Sequence, residues 1–245
     1  MTDSGGDEEI DRIRAASAGR WGRIRLAILM GLWIFSSHVP SAPATESQAP
    51  SAQVADPPED LLATQQQLQS VLPAVQRATV AVHSGPRRGS GVFIEKQLVA
   101  TALHVVGRGA SIRIVFAKGN GKTGAAVGKL VYSNKQHDFA LIRVTPAGSH
   151  VPLKRFSQPV VGVRCFALGY TDGRPTAYLR AGRIRAVTAD NVLTSCELGA
   201  GDSGGPLFLS DGTLVGIHRQ RGRTAGQNRH LSVRRMEKLL RDYRE

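Results

Sequence analysis

The sequence predicts an all-β fold of two antiparallel β-barrels followed by a short C-terminal helix. Three observations carry that prediction. From Thr79 onward, apolar residues recur at every second position over short stretches, the period of strands that turn one face to a core. Glycine and asparagine punctuate those stretches, as at Gly119-Asn120-Gly121 and Gly124. The period lengthens to that of a helix only at the end, where Val233, Met236, Leu239, Leu240 and Tyr243 share one face. Many short strands with glycine-rich turns close into barrels, and 245 residues allow one large unit or two small lobes.

The elements follow in chain order. Residues 26–35, Leu-Ala-Ile-Leu-Met-Gly-Leu-Trp-Ile-Phe, form an apolar run preceded by Arg20, Arg23 and Arg25. Small residues follow at Ala42 and Ala44, spaced as a signal peptidase reads them. Ten apolar residues suit a secretory signal and are short for a membrane span of about 20. Residues 1–44 are therefore expected to be a signal peptide, or an uncleaved inner-membrane anchor. Either puts the remaining chain in the periplasm or outside the cell. Residues 45–58, rich in Ala, Pro, Ser and Gln, read as a linker. Residues 59–78 carry a helical pattern through Leu61, Leu62, Leu68, Val71, Leu72 and Val75, which Pro73 is expected to end or kink.

Barrel one is expected over about 79–145. Its inward positions are Val80, Val82, Val92, Ile94, Ile112, Ile114, Phe116, Ala140, Ile142 and Val144. Residues 146–158, with Pro146, Gly148 and Pro152, read as the crossing between lobes. Barrel two, about 159–231, turns inward Val161, Val163, Ile184, Val187, Val192, Thr194, Leu207, Leu209 and Leu214. Residues 232–245 form the closing helix.

The formal net charge is +13. The first 44 residues hold five arginines and five acidic residues, so the excess lies beyond them, concentrated between Arg219 and Arg244. Such a surface binds anionic lipid, cell-wall polymer or nucleic acid non-specifically, or simply aids solubility. No helix-turn-helix, zinc-finger or RNA-binding signature accompanies it, so no sequence-specific nucleic acid is expected. Cys165 and Cys196 are not at metal-ligand spacing, and no other His/Cys cluster suggests a metal. A disulfide between them and two free thiols are both compatible with the sequence.

The chemistry is concentrated in three segments. Gly201-Asp202-Ser203-Gly204-Gly205-Pro206-Leu207 places a serine between glycines, which permit a tight turn. A serine hydroxyl needs a base to take its proton and donors for the oxyanion it creates. His104 lies in Thr101-Ala102-Leu103-His104-Val105-Val106, and Asp138 opens Asp138-Phe139-Ala140-Leu141. Histidine, aspartate and serine occur in that order, 34 and then 65 positions apart.

These segments, with Gly89-Ser90-Gly91-Val92, resemble the bacterial trypsin-like serine peptidases of chymotrypsin fold, and the first half resembles HtrA-type enzymes. The likeness covers about residues 72–236. It implies two six-stranded antiparallel barrels, polypeptide substrates and no cofactor. It implies His104 as general base and acid, Asp138 as its orienting acid, and Ser203 as nucleophile. The N–H groups of Gly201 and Ser203 would form the oxyanion hole. No PDZ domain is expected after barrel two, a departure from HtrA-type enzymes. The Ile-Val-Gly-Gly start of trypsin zymogens is also lacking, so Asp202 needs another partner, an arginine or backbone donors.

Gly216-Ile217-His218 resembles glutamyl endopeptidases and implies that His218, with Arg219 or Arg221, meets an acidic substrate side chain. Glu197, six residues before Ser203, instead resembles the acid with which trypsin-like enzymes hold Arg or Lys. Acidic, small apolar and basic preferences stay open at this point. Two other functions also stay open: a catalytically weak binding or chaperone-like module on this fold, and a basic binder of anionic polymers.

Overall fold

A computed structural model describes residues 59–107, 111–119, 122–145, 152–153, 159–224 and 227–245. The apolar run 26–35, the linker 45–58, the turn residues 120–121 and most of the crossing 146–158 lie outside the described residues. Among the described residues no helix is long and apolar enough to cross a membrane.

Strands β1 (Thr79–Ser84), β2 (Arg87–Glu95), β3 (Leu98–Ala102), β4 (Ile112–Gly119), β5 (Lys122–Asn134) and β6 (Phe139–Thr145) close into one barrel in the order β1-β2-β3-β6-β5-β4. The second barrel contains β7 (Arg164–Gly169), β8 (Tyr178–Val187), β9 (Asn191–Thr194), β10 (Pro206–Phe208), β11 (Leu214–Gln220) and β12 (Asn228–Ser232). Its order is β10-β11-β12-β9-β8-β7. All pairings are antiparallel, so the fold is two six-stranded barrels of chymotrypsin type with a C-terminal helix.

Barrel one shows why simple alternation fails on its central strands. β5 has a solvent side and alternates between exposed and buried residues from Thr123 to Lys129. β3 is buried throughout and β6 nearly so. Phe93, Val99, Ala102, Ala140 and Ile142 fill the barrel. Val92, Ile94, Leu98, Ala100, Phe139 and Leu141 face the other way, into a shared core with Leu214, Ile217 and Leu231 of barrel two. A strand buried on both faces reads as a continuous apolar run.

The C-terminal helix, α2 (Val233–Arg244), caps that seam with Met236, Leu239 and Leu240. Its N-terminus is held by Ser232, whose Oγ accepts from Arg235 N at 3.1 Å.

Three expectations change. Val92 and Ile94, expected inside barrel one, and Leu214, expected inside barrel two, face the shared core instead. Helix α1 (Glu59–Ala78) runs on through Pro73. Proline costs a helix one internal hydrogen bond, but Val75 is fully buried against Phe166, Leu168 and Phe208, with Leu68, Val71 and Leu72 beside it. Packing on barrel two carries the helix past its breaker. Val161 and Val163 are exposed, not inward, because they flank the turn at Gly162, whose φ is 89°. β7 starts only at Arg164, where Cys165 and Ala167 take up the interior side.

Candidate active site

Barrel one supplies a histidine and a carboxylate at its rim. β3 ends in a 3-10 turn, Leu103–Val105, closed by Val106 N donating to Leu103 O at 2.9 Å. The turn lifts His104 out of the buried strand, leaving its side chain 48 % exposed. Asp138 sits opposite because Ala102 pairs with Phe139 in the β3/β6 ladder. It adopts φ 50°, a left-handed conformation that aspartate tolerates better than most residues. In that posture Asp138 O accepts from Leu103 N (3.0 Å) and Oδ1 from His104 N (2.9 Å). Oδ2 lies 2.7 Å from His104 Nδ1.

Burial alone would raise the Asp138 carboxyl. The hydrogen bonds from the His104 ring and amide outweigh it, and with the charges of His104 and Arg219 they hold the carboxyl below its usual range. An ionised carboxylate at Nδ1 fixes the ring with its proton on that nitrogen and leaves Nε2 as the basic atom.

Barrel two supplies the serine on a loop that docks against barrel one near the 3-10 turn that carries His104. Ser90 N donates to Ser203 O at 2.8 Å. Ser90 Oγ donates to Gly201 O and accepts from Tyr170 N, both at 2.8 Å. A Cβ on Gly89 would stand 2.6 Å from the Val105 side chain and 3.1 Å from Ser203 O, which measures how closely the loop approaches the histidine turn. Gly204, at φ 86°, lies flush against Ser90 O, Thr101 Oγ1 and Ala102 N, with no room for a side chain. From the other side His218 clasps the loop, accepting from Gly204 N at 2.7 Å and donating to Gly205 O at 2.8 Å. Among the described residues the N–H groups of Gly201 and Ser203 and the Ser203 hydroxyl make no hydrogen bond.

Asp202 locks the loop from below. It is 1 % exposed, and its carboxylate pairs with Arg180 at 3.0 Å. It also accepts from Thr171 Oγ1 and Gly199 N, each at 2.7 Å. Arg180 braces the assembly by donating to Thr171 Oγ1 at 2.7 Å. Gly201, at φ 91°, brings the chain so close to Tyr170 O that a Cβ would lie 2.5 Å from it. The partner that Asp202 required is thus Arg180 from β8, joined by a hydroxyl and an amide.

The remaining predicted residues do not converge on one pocket. Glu197 is exposed. His218 is 1 % exposed, its Nδ1 2.9 Å from His230 Nδ1, and His230 Nε2 lies 2.8 Å from Thr194 Oγ1. His218 Nε2 has no full hydrogen bond, although the Leu168 carbonyl gives it some relief. Burial drives the His218 pKa down to about 3 and that of His230 well below normal, so both rings are neutral. Arg219 reaches barrel one instead, donating to Gln136 O at 3.2 Å and, more weakly, to Asn191 Oδ1 at 3.4 Å. Arg221 is exposed at the end of β11.

Cys165 and Cys196 are buried free thiols with Sγ atoms 3.6 Å apart. Their shared hydrogen bond, with burial behind it, pushes the Cys165 thiol up and leaves it inert.

Three residues that organise the site escaped the sequence reading. Ser90 was visible only as part of a glycine-flanked motif. Arg180 and Thr171 carried no local signal at all.

Comparison with known proteins agrees with the fold. The family model described as a trypsin-like peptidase domain matches residues 89–217. The chain is 30 % identical over 162 residues to the peroxisomal leader peptide-processing protease of Mus musculus, covering 61 % of this chain and 28 % of that protein. It therefore spans little more than a quarter of that relative's length. Among solved structures, a serine endoprotease from Yersinia pestis matches with a TM-score of 0.65 at 21 % identity, covering 72 % of this chain and 66 % of the other. Deg5 matches at 0.63 and 18 %, covering 71 % and 92 %. At such identities the likeness is one of fold.

Proposed function

The chain belongs to the trypsin-like peptidase family, and from that premise we propose that it is a serine endopeptidase acting through His104, Asp138 and Ser203. The observation that carries the reading is the 2.7 Å contact between His104 Nδ1 and Asp138 Oδ2, on the rim where the Ser203 loop docks. Ser203 Oγ attacks the carbonyl carbon of the scissile peptide while His104 Nε2 takes the hydroxyl proton. The carbonyl oxygen becomes an oxyanion and receives the N–H groups of Gly201 and Ser203, which have no partner among the described residues. Asp138 holds the ring's other nitrogen and stabilises the imidazolium. His104 then passes its proton to the leaving amine, and the C–N bond breaks to give an acyl-enzyme. Water, deprotonated by the same imidazole, attacks the ester and releases Ser203.

The lock on Asp202 supports a site that is competent as folded. Its carboxylate already has a cation, so the oxyanion loop needs no freed N-terminus to settle. The same reading places the domain outside the cytoplasm, on the strength of the apolar run 26–35 and its flanks. Recovery of the protein from the cytosolic fraction alone would refute that placement.

Fluorophosphonate labelling tests the mechanism. Wild type is expected to label and to hydrolyse unfolded polypeptides, and Ser203→Ala to do neither. Equal labelling of the two proteins would overturn the assignment. Labelling without peptide hydrolysis would favour the binding-module alternative.

A further inference from the structure

The residues expected to meet an acidic substrate side chain part company in the structure. His218 is neutral and sealed inside barrel two, and Arg219 is committed to Gln136 and Asn191. Arg221 joins two arginines not singled out for this role. Together with Arg223 and Arg229 it lines a recess of about 320 Å³, floored in part by Leu193 and Gln220. Among the described residues, no carboxylate lines this recess, and none of the three guanidinium groups is in an ion pair or hydrogen bond. Three unneutralised cations in one recess attract an anionic side chain strongly for a surface site.

The position of the recess relates it to the serine. β11 pairs with β10 only as far as Ile217 opposite Pro206, and His218 is then clasped by Gly204 and Gly205. Further along, β12 continues to cover one edge, with Gln220 opposite Arg229. The edge toward the serine loop is left without a strand from Arg219 onward. An extended peptide can add itself to such an edge. If it adds antiparallel with its reacting carbonyl at Ser203, each step along β11 corresponds to one residue further upstream in the substrate. At roughly 3.3 Å per residue, Gln220 to Gly222 lie some 7–13 Å beyond His218, a span of two to four residues.

We propose that Arg221, Arg223 and Arg229 form a subsite for an acidic substrate side chain two to four residues before the scissile bond. The subsite rests on the peptidase reading and adds a substrate class to it: polypeptides with Asp or Glu upstream of the cleaved bond. The small recess beside the open strand edge favours a single side chain over an extended polyanion. Wet contacts between exposed charges are worth little each, so the gain is moderate and falls with salt.

Internally quenched peptides carrying Glu or Gln at each of the four positions before the cleaved bond test the subsite, using the full chain. Glu at one of positions two to four is expected to raise kcat/KM about fivefold at low salt. The change should lie mainly in KM and shrink in 0.5 M salt by roughly the loss expected of a screened pair. Arg221→Gln with Arg229→Gln should bring the Glu-to-Gln ratio toward one, with thermal unfolding checked to confirm the fold. Equal rates for Glu and Gln everywhere would overturn the subsite while leaving the peptidase standing. So would a preference confined to the residue next to the cleaved bond and retained in the arginine variants. Equal salt sensitivity of the Glu and Gln peptides would mark a general basic surface and also overturn it. Failure of wild type to label with fluorophosphonate would remove the peptidase reading, and the subsite with it.

Discussion

The two barrels hold their contributions to the site by different means. Barrel one presents His104 half exposed, steered by one ring contact and one amide bond to a carboxylate at the rim. Barrel two buries Asp202 almost completely and binds it with a guanidinium, a hydroxyl and a backbone amide. On the proposed mechanism, the difference follows from what each part must do. A base that receives and returns a proton needs access and a fixed tautomer. A backbone that keeps two N–H groups aimed at one point must be immobilised, and a buried, fully paired charge immobilises it well. If this account holds, chemistry and stability separate between the barrels.

Asp138→Asn should show the largest effect, most of it in chemistry. Loss of the anion at Nδ1 favours the wrong tautomer, and turnover should fall by about 10⁴-fold. At neutral pH the midpoint of thermal unfolding should fall only by the modest stability that the half-buried, ionised carboxylate adds, because asparagine still accepts from the His104 amide. Hydrolysis and calorimetry on the same preparation check both halves, and a collapse in stability would break the contrast. The acid limb gives a further sign. Because the Asp138 carboxyl is held below its usual value, its ionised form contributes stability above about pH 4. That contribution is lost as pH falls through the folded value, so wild type and variant should converge in strong acid.

Asp202→Asn should damage both properties. It leaves the Arg180 charge without its partner at a site where the carboxylate was 1 % exposed. Breaking such a pair costs about 3 kcal/mol, and a misplaced oxyanion donor slows turnover by roughly 10²–10³. Adding Arg180→Gln should recover part of the stability and none of the rate. Full recovery of rate in the double variant would show that the ion pair does not position the loop.

Barrel two should also set the response to acid. His218 and His230 are buried and neutral, with folded pKa values of about 3 and well below normal. Below about pH 6.5 the unfolded chain takes up protons on these rings and the folded chain does not. Stability therefore falls as pH drops, by roughly 2 kcal/mol at pH 5 for His218, and further in the same direction for His230. His83 and His137, also held low, add in the same direction. Denaturant unfolding at pH 7 and pH 5 should show the loss, and His218→Asn should flatten it. An unchanged slope in that variant would mean the ring is accessible to protons in the folded state.

How much of this was legible in the sequence depends on how far each interaction reaches. The barrel-one positions from Val80 to Val144 follow from strand period and are all buried, but Val92 and Ile94 face the core shared with barrel two and not the interior of barrel one. The same rule misplaced Val161 and Val163 because it carried alternation back across a turn. Pro73 was read by a local rule that packing on Phe166 and Phe208 overrides. His104, Asp138 and Ser203 were singled out because their neighbours in the chain are distinctive. Arg180 was not, since nothing about an arginine on a strand says that Asp202, 22 positions on, will close over it. Only the need for some partner was legible. His218 was assigned by its flanking residues, which do not reveal that its ring is occupied by His230 inside the barrel.

The smallest effect expected is also the most direct test of the seam between the two regions. Ser90 belongs to barrel one, yet its Oγ bonds only to barrel two, giving to Gly201 O and taking from Tyr170 N. Ser90→Ala keeps the backbone bond to Ser203 O and removes both of these. A buried donor and acceptor left unsatisfied cost about 1–2 kcal/mol together if a water partly replaces the hydroxyl. The loss should appear in unfolding. Because the Asp202 lock stays intact, fluorophosphonate labelling should slow by no more than about tenfold, the factor that corresponds to 1.4 kcal/mol. A much larger loss of labelling would show that barrel one holds the oxyanion loop in place. The division of labour between the barrels would then fail at Ser90, whose hydroxyl bridges them.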